Sequence, residues 1–388
     1  MRFLHTSDWH LGRSLPQGRS RRPEFETVLA EVVAICRDER VDCLLIAGDV
    51  YDHKFASAEA DQLMFETVVQ LHRDGTAVVS IPGNHDSPER WRAYSPLLKE
   101  ISVHTVTELR APLEGGVVTV ASRDGGESAQ IACVPFVQER NFGTATLLFE
   151  GNERWPQAYA KGMGKLLSAM CAGFRNDSVN ILMAHLFVDG AGLGGGEAEV
   201  TLGPQCAVRP ALIPSKASYV ALGHIHKAQT LEHASVPARY AGSLLQLDFG
   251  ERGQEKSVTL VEASPRRRPD VREIPLRAGR ALLQVDGTLD ELKRRTGEFG
   301  DAWLRVDVYT DSRIPGIADR VREILPNAIQ VRPVYPRARD TAPTQAITSL
   351  RPREQFEAYY RAEHRAEPSS ASLATFDEVH SAVAMEQE

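Results

Sequence analysis

The chain has 388 residues, 42% hydrophobic and 25% charged, which is ordinary usage for folded protein and enough length for two or three domains. No run approaches the ~18 apolar residues of a membrane span, no basic-then-apolar leader opens the chain, and the five cysteines stand singly without a Cys-x-x-Cys pair. A secreted disulfide-stapled protein and a membrane-spanning one are excluded, and reduced thiols in a cytoplasmic protein are expected. The formal net charge of −7 argues against a surface that is basic all over, although residues 266–340 carry 16 Lys and Arg against 12 Asp and Glu.

From the N-terminus, short apolar runs alternate with stretches of helical spacing. Strand-like runs fall at 2–6, 42–47, 77–81, 101–106, 117–120, 131–135, 179–184, 219–222 and 257–261. Helical spacing falls at 23–40, 58–73, 88–99 and 157–171, with Gly75 as a stop after the second. Helices between strands at first, then a stretch richer in β, predict an α/β sandwich of mixed sheets flanked by helices. The basic, Pro-flanked stretch PRRRP at 265–269 breaks the pattern and reads as the end of a first domain over 1–265. A β-α-β-α-β order then predicts a small α/β unit within 276–336, followed by a linker at 336–349 and a tail, 350–388, with helices at 352–363 and 373–385.

Five of the strand-like runs end on metal-ligand residue types. FLHTS leads to Asp8 and His10, LLIAG to Asp49 and Asp52, VVSIPG to Asn84, His85 and Asp86, NILMA to His185, and YVALG to His224 and His226. In open α/β folds, groups remote in sequence converge outside the carboxyl ends of strands. His, Asp and one Asn, with no Cys, suit Mn²⁺, Fe or Zn²⁺ rather than a thiolate zinc site. Seven such groups can hold two adjacent ions if one carboxylate bridges, and such a pair clamps the attacking and leaving oxygens of a phosphoryl displacement. Each piece alone has a plainer reading: D-x-H or GD-x-x-D as turn chemistry, His185 as a core histidine. The ordered set points to metal.

The series D-x-H, GD-x-x-D, GNHD, H, GHxH across residues 8–226 resembles the calcineurin-like metallophosphoesterase superfamily. DWHLGRSL, GDVYD, PGNHDSPER, AHLFVDG, ALGHIHKAQ and YAGSLLQLDFGE resemble its double-strand-break repair nucleases over nearly the whole chain. The resemblance implies a nuclease domain over 1–265, a DNA-capping domain over 276–336 and C-terminal helices over 350–388 that bind an ATPase partner. It implies one divalent ion on Asp8, His10, Asp49 and His226 and a second on Asp49, Asn84, His185 and His224, with Mn²⁺ expected and Mg²⁺ or Fe as alternatives. His85 would be a non-ligand histidine that donates a proton to the leaving oxygen or stabilises the transition state, oriented by the Asp52 carboxylate. Asp86 is expected to cap the following turn. The implied activity is 3′→5′ exonuclease on double-stranded ends and endonuclease on single strands and hairpins, in break processing, recombination and replication. The implied assembly holds two nuclease and two ATPase subunits.

GAGLGGG at 190–196 and GMGKLL at 162–167 lack P-loop spacing, so no nucleotide is expected on this chain; the former reads as a flexible loop at the mouth of the site. DNA phosphates are expected at Arg13, with Arg19, Arg21 and Arg22 beside it, and at Arg332, Arg337 and Arg339, against the alternative of a solvated face. Phe356, Tyr359 and Tyr360 form an apolar stripe suited to a partner groove or to the chain's own catalytic domain. Two rival functions stay open: a metallophosphoesterase of small phosphodiesters or phosphoproteins, and a catalytically dead scaffold.

Overall fold

The computed structural model describes residues 1–137, 155–195, 207–335, 351–364 and 366–385. The chain forms two compact units, Met1–Tyr309 with Pro315–Pro333, and Thr310–Ile314 with Val334–Glu388.

The first unit opens with β1 (Arg2–Thr6), β2 (Ser14–Leu15), β3 (Arg19–Ser20), α1 (Arg22–Asp38), β4 (Cys43–Ile46), α2 (Ala58–Arg73), β5 (Ala77–Ser80), α3 (Pro88–Glu100) and β6 (Val103–Thr105). There follow β7 (Val117–Ala121), β8 (Ser128–Val134), α4 (Trp155–Met170), β9 (Val179–His185), β10 (Tyr219–Gly223), β11 (Gln229–Thr230), β12 (Ala238–Tyr240), β13 (Ser257–Glu262) and β14 (Asp270–Pro275). Strands β4 and β9 are buried at every residue, which is why they read as unbroken apolar runs. Helix α2 buries Ala60, Leu63, Met64, Thr67, Val68 and Leu71 on one stripe; Ser57 caps it by accepting from the Ala60 N–H, and acidic and basic residues complement its two ends.

Two six-stranded mixed sheets result, ordered β14-β13-β1-β4-β5-β6 and β11-β12-β10-β9-β8-β7. In the first, β1, β4, β5 and β6 are parallel and β13 and β14 antiparallel; in the second, β8, β9, β10 and β12 are parallel. Phe3, Leu45, Val79, Ile131, Ile181 and Ala221 fill the space between the sheets. The outer face of the first sheet packs on α1, α2 and α3, that of the second on α4. The result is a four-layer α/β sandwich whose parallel strands deliver their carboxyl ends to one rim.

PRRRP turns out to be a hairpin turn, because β13 and β14 pair from Ser257↔Pro275 to Glu262↔Asp270. The first sheet therefore runs on to Pro275, past the expected boundary at 265. A solvated hairpin turn and a linker share the same Pro and Arg chemistry, so local sequence does not separate them.

Beyond it come β15 (Leu282–Gly287), α5 (Leu289–Arg294), β16 (Trp303–Tyr309), α6 (Ile317–Ile324) and β17 (Ala328–Val334), with the strands in one three-stranded sheet. Leu282, Trp303 and Ile329 of this sheet bury against Leu15 and Phe249. Glu24 fastens the join: it accepts from Arg21 Nη2 (2.7 Å), Trp303 Nε1 (2.9 Å) and the Arg280 N–H (3.0 Å). Arg21 is thus a fully buried structural cation and not the phosphate contact expected of it. Arg22 pairs with Glu26, and Arg19 lies over the Trp303 ring, so neither is the free cation the motif suggests.

In the second unit, α7 (Pro352–His364) and α8 (Ser370–Met385) pair through stacked Phe356 and Phe376, 4.5 Å between centroids, and an Arg353–Asp377 ion pair. Phe356 therefore finds cover on the neighbouring tail helix, while Tyr359 stays 62% exposed. Cys36, Cys43, Cys133 and Cys171 are free and buried. Among the described residues no helix is long and apolar enough to cross a membrane.

Candidate metal centre

The loops after β1 and β4 zip together: Asp8 N–H donates to Gly48 O, His10 N–H to Asp49 O and Leu11 N–H to Val50 O, at 2.9–3.0 Å. These bonds hold Asp8, His10 and Asp49 in left-handed backbone, φ 52°, 50° and 52°, and His224 in the second sheet has φ 103°. Left-handed non-glycine residues are strained by order 1–3 kcal/mol each and persist only where the surroundings impose them. Here the strain aims four polar side chains into one crevice. Glycine is required beside them: a Cβ on Gly83 would overlap the Asp49 carboxylate, and one on Gly48 the His185 ring.

All seven expected ligands reach the same buried crevice. Ligand atoms of Asp8, His10 and His226 lie within 4.8 Å of one another, as do those of Asp8, Asp49 and His185. Asp49 Oδ2 stands 3.7 Å from His10 Nε2 and 3.4 Å from His185 Nε2, between the two groups. Asn84 Oδ1 is 3.0 Å from His185 Nε2 and 2.9 Å from His224 Nδ1. The His224 N–H crosses between sheets to the Asp8 carboxylate (3.1 Å), and the His85 N–H donates to Asp49 Oδ1 (2.8 Å).

The imidazoles are oriented from behind. His185 Nδ1 meets Ala47 O at 2.8 Å, His226 Nδ1 meets Glu251 Oε1 at 2.8 Å, and His10 Nδ1 meets Asp52 Oδ1 at 3.2 Å. Each acceptor places the ring proton on Nδ1 and leaves an Nε2 lone pair. A neutral His185 would then face Asn84 Oδ1 acceptor against acceptor, and His10 Nε2 is buried with no hydrogen-bond partner. That conflict is relieved by a cation, and a backing acceptor on the far nitrogen is the usual support of a ligating histidine. The donor set fits divalent metal.

Without an ion, the field of the crevice draws a second proton onto His185, in the place a divalent cation would take. Burial alone would lower the His185 imidazole, but the Asp49 carboxylate more than reverses this and carries it up to about 9. Burial and then the neighbouring His185 push His224 down to about 3. Asp49 is held far below the usual carboxylate range by the surrounding imidazoles, despite its burial.

Two expected roles change. His85 Nδ1 bonds the Asp52 backbone oxygen (2.7 Å), while the Asp52 carboxylate serves His10, Arg13 (3.1 Å) and His53 (2.9 Å). Residue 52 thus orients His85 through its main chain and a candidate ligand through its side chain. Asp86 does not cap the following turn, since Ser87 caps α3; its buried carboxylate accepts from the N–H groups of Gly83, Val50 and Tyr51 and ties two ligand loops together. Burial and the Asp49 charge raise Asp86 to about 6 in that position.

Glu251, the last residue of the YAGSLLQLDFGE motif, and Lys256 enter the site although the sequence assigns neither a role there. Glu251 is wholly buried and accepts from His226 Nδ1, Lys256 Nζ (2.7 Å), Ser243 Oγ (3.3 Å) and the Leu247 N–H (3.1 Å). Within that motif, an acid in LDFGE with a lysine five residues on is what a surface turn would carry as well. Burial would raise this carboxyl, but His226 and Lys256 hold it at about 2. Glu251→Gln is expected to weaken Mn²⁺ binding by ~10–100-fold in calorimetric titration, because His226 loses its anionic backing. The depressed carboxyl also contributes stability that is complete above its ordinary value of 4.5 and disappears as pH falls toward 2. Urea melts between about pH 6 and pH 3 should therefore show a shallower acid limb for Glu251→Gln than for the unsubstituted chain.

The described arginines among the expected DNA contacts are engaged within the chain. Arg13 is part-exposed and engaged by Asp52, and Arg332 is exposed but gives two bonds to Asp307 (2.8 and 2.7 Å). Arg337 and Arg339 lie outside the described residues. The described part of GAGLGGG is anchored by the Gln229 side chain, which bonds both the N–H and the oxygen of Gly192 (2.8 and 2.7 Å).

Residues 1–228 match the calcineurin-like phosphoesterase family, and 278–364 match the type 5 capsule protein repressor C-terminal domain. The chain is thus a calcineurin-like phosphoesterase, a hydrolase acting on phosphodiesters. The D subunit of nuclease SbcCD from Bacillus subtilis (strain 168) is 33% identical, with 86% of each chain covered. Its counterpart from Rhodobacter capsulatus is 32% identical over 93% of this chain and 94% of that one, and the one from Escherichia coli (strain K12) 27% identical over 96% and 90%. Within the phosphoesterases, the chain belongs to the SbcD family of metal-dependent nuclease subunits.

Proposed function

We propose that Asp8, His10, Asp49 and His226 hold one divalent cation and Asp49, Asn84, His185 and His224 a second, and that this centre cuts DNA as a 3′→5′ double-strand exonuclease and a single-strand and hairpin endonuclease. The observation that carries this is the convergence of these side chains on one crevice, with His10, His185 and His226 each braced at Nδ1 and Asp49 Oδ2 between His10 Nε2 and His185 Nε2. Bound cations would neutralise the phosphodiester and activate the attacking water; Mn²⁺ is taken by likeness to the family, since a mixed His and carboxylate set suits Fe or Zn²⁺ as well.

The chain's own residues do the rest. Asp49 joins both ligand groups and fixes the His85 backbone, so the proton donor is registered against the centre. His85 carries its Nδ1 proton on the Asp52 oxygen and presents Nε2 to the leaving oxygen of the sugar, a poor leaving group that benefits from protonation. Arg13, beside Asp52, is suited to an adjacent phosphate, and Arg332, Arg337 and Arg339 to the DNA flank. By likeness to the SbcCD nucleases, the chain works in the cytoplasm with an SbcC-type ATPase, through Phe356, Tyr359 and Tyr360, as a homodimer within a heterotetramer.

The test is cleavage of a hairpin oligonucleotide and of bis-(p-nitrophenyl) phosphate by the purified chain with Mn²⁺, with and without the ATPase. Cleavage of both is expected, with linear duplex digested from its 3′ ends once the ATPase and ATP are added. Turnover of the small ester alone, in every combination, would favour a small-substrate phosphodiesterase instead.

A further inference from the structure

The hairpin turn that carries PRRRP plays no part in the metal centre. With the starts of β9 and β10 it encloses a cavity of about 850 Å³ lined by Lys216, Arg239, Arg266, Arg267 and Arg268. Little of that charge is answered: Glu273 pairs with Arg239, Asp270 shares the wall, and Arg267 and Arg268 have no ion-pair partner among the described residues. The three hairpin arginines are exposed, and Arg266 leans on Asn176 O (3.2 Å). On the cavity wall stands Asn180, 8% exposed, whose Nδ2 is spent on Arg175 O (2.9 Å) and whose Oδ1 has no partner. A phosphate with a water beneath it that donates to Oδ1 satisfies both features. The described lining holds no aromatic ring, so bases would find no stacking platform, whereas phosphates would find several cations.

The geometry points to a second nucleic-acid anchor: this basin binds the sugar-phosphate backbone of a strand, away from the catalytic rim. His185 closes β9 five residues after Asn180, which puts the two side chains' backbone positions roughly 16 Å apart at ~3.3 Å per residue. One nucleotide cannot span them, so the basin holds the substrate elsewhere along its length. A local cationic basin on a chain of net charge −7 also concentrates polyanions where the remaining surface repels them.

A nucleic-acid ligand for the basin rests on the nuclease reading, and the test keeps the two separate. The full chain in EDTA is titrated against a fluorescent single-stranded oligonucleotide over a series of salt concentrations, beside Arg267→Ala/Arg268→Ala and Arg267→Lys/Arg268→Lys. The alanine variant is expected to bind ~10-fold more weakly at low salt and to show a salt slope shallower by roughly 1.4, two contacts at ~0.7 each, while the lysine variant keeps the slope. Turnover of bis-(p-nitrophenyl) phosphate with Mn²⁺ should be equal in all three, and it reports on the metal-centre reading independently. An unchanged slope in the alanine variant would overturn the proposal. So would an unchanged slope accompanied by lost binding to the ATPase, which would make the basin a protein interface.

Discussion

Asp49→Asn is expected to lower DNA cleavage by ~10³-fold or more, the equivalent of the several kcal/mol of charge stabilisation that bound cations contribute to phosphoryl transfer. Asp49 Oδ2 lies 3.7 Å from His10 Nε2 and 3.4 Å from His185 Nε2, within reach of an imidazole of each ligand group. The amide keeps the shape but not the charge, and an amide nitrogen turned to either imidazole would oppose a cation. Calorimetric titration with Mn²⁺ should show both binding events lost or severely weakened. Stoichiometric tight Mn²⁺ binding by Asp49→Asn would remove the shared-carboxylate assignment.

His85→Ala is expected to separate chemistry from binding. Its ring is braced on the Asp52 backbone oxygen and its own backbone on Asp49; the second of these survives in alanine. Metal affinity should therefore stay within a few-fold of the unsubstituted chain while hairpin cleavage falls ~10²–10⁴-fold, the usual contribution of a positioned general acid. The leaving group supplies a sharper check. A sugar alkoxide needs a proton and p-nitrophenolate does not, so bis-(p-nitrophenyl) phosphate turnover should fall far less than DNA cleavage. Equal losses on both substrates would mean that His85 stabilises charge on the phosphoryl oxygens without delivering a proton.

Much of this site is legible in the sequence because its chemistry sits at strand ends. The apolar runs of β1, β4, β5, β9 and β10 are unmistakable, and each is followed within a few residues by its polar groups. Sequence does not show which atom of a named residue does the work. Asp52 reads as the carboxylate partner of His85, but the chain delivers its carbonyl oxygen there and sends the carboxylate to His10. Asp86 resembles a turn cap because its loop partners, Val50 and Tyr51, lie more than thirty residues away. Arg21 resembles a phosphate ligand because nothing nearby announces that Trp303 and Arg280 will close over Glu24 and bury it. PRRRP resembles a linker because the pairing of β13 with β14 is a property of the sheet.

The amino-acid order by itself determined the α/β class and set metal-ligand residue types at the ends of five strands, since hydrophobic period and residue chemistry are local properties; the choice of seven candidate ligands and of His85 as proposed proton donor came from the resemblance. Tertiary structure alone decided the left-handed backbone that aims Asp8, His10, Asp49 and His224, the burial of Glu251 behind His226, and the gathering of five cations around one cavity. Those features depend on contacts between segments up to more than two hundred residues apart, such as the His224 N–H on Asp8. Such contacts exist only after the two sheets have packed, because the packing supplies the energy that holds strained backbone and buried charge in place.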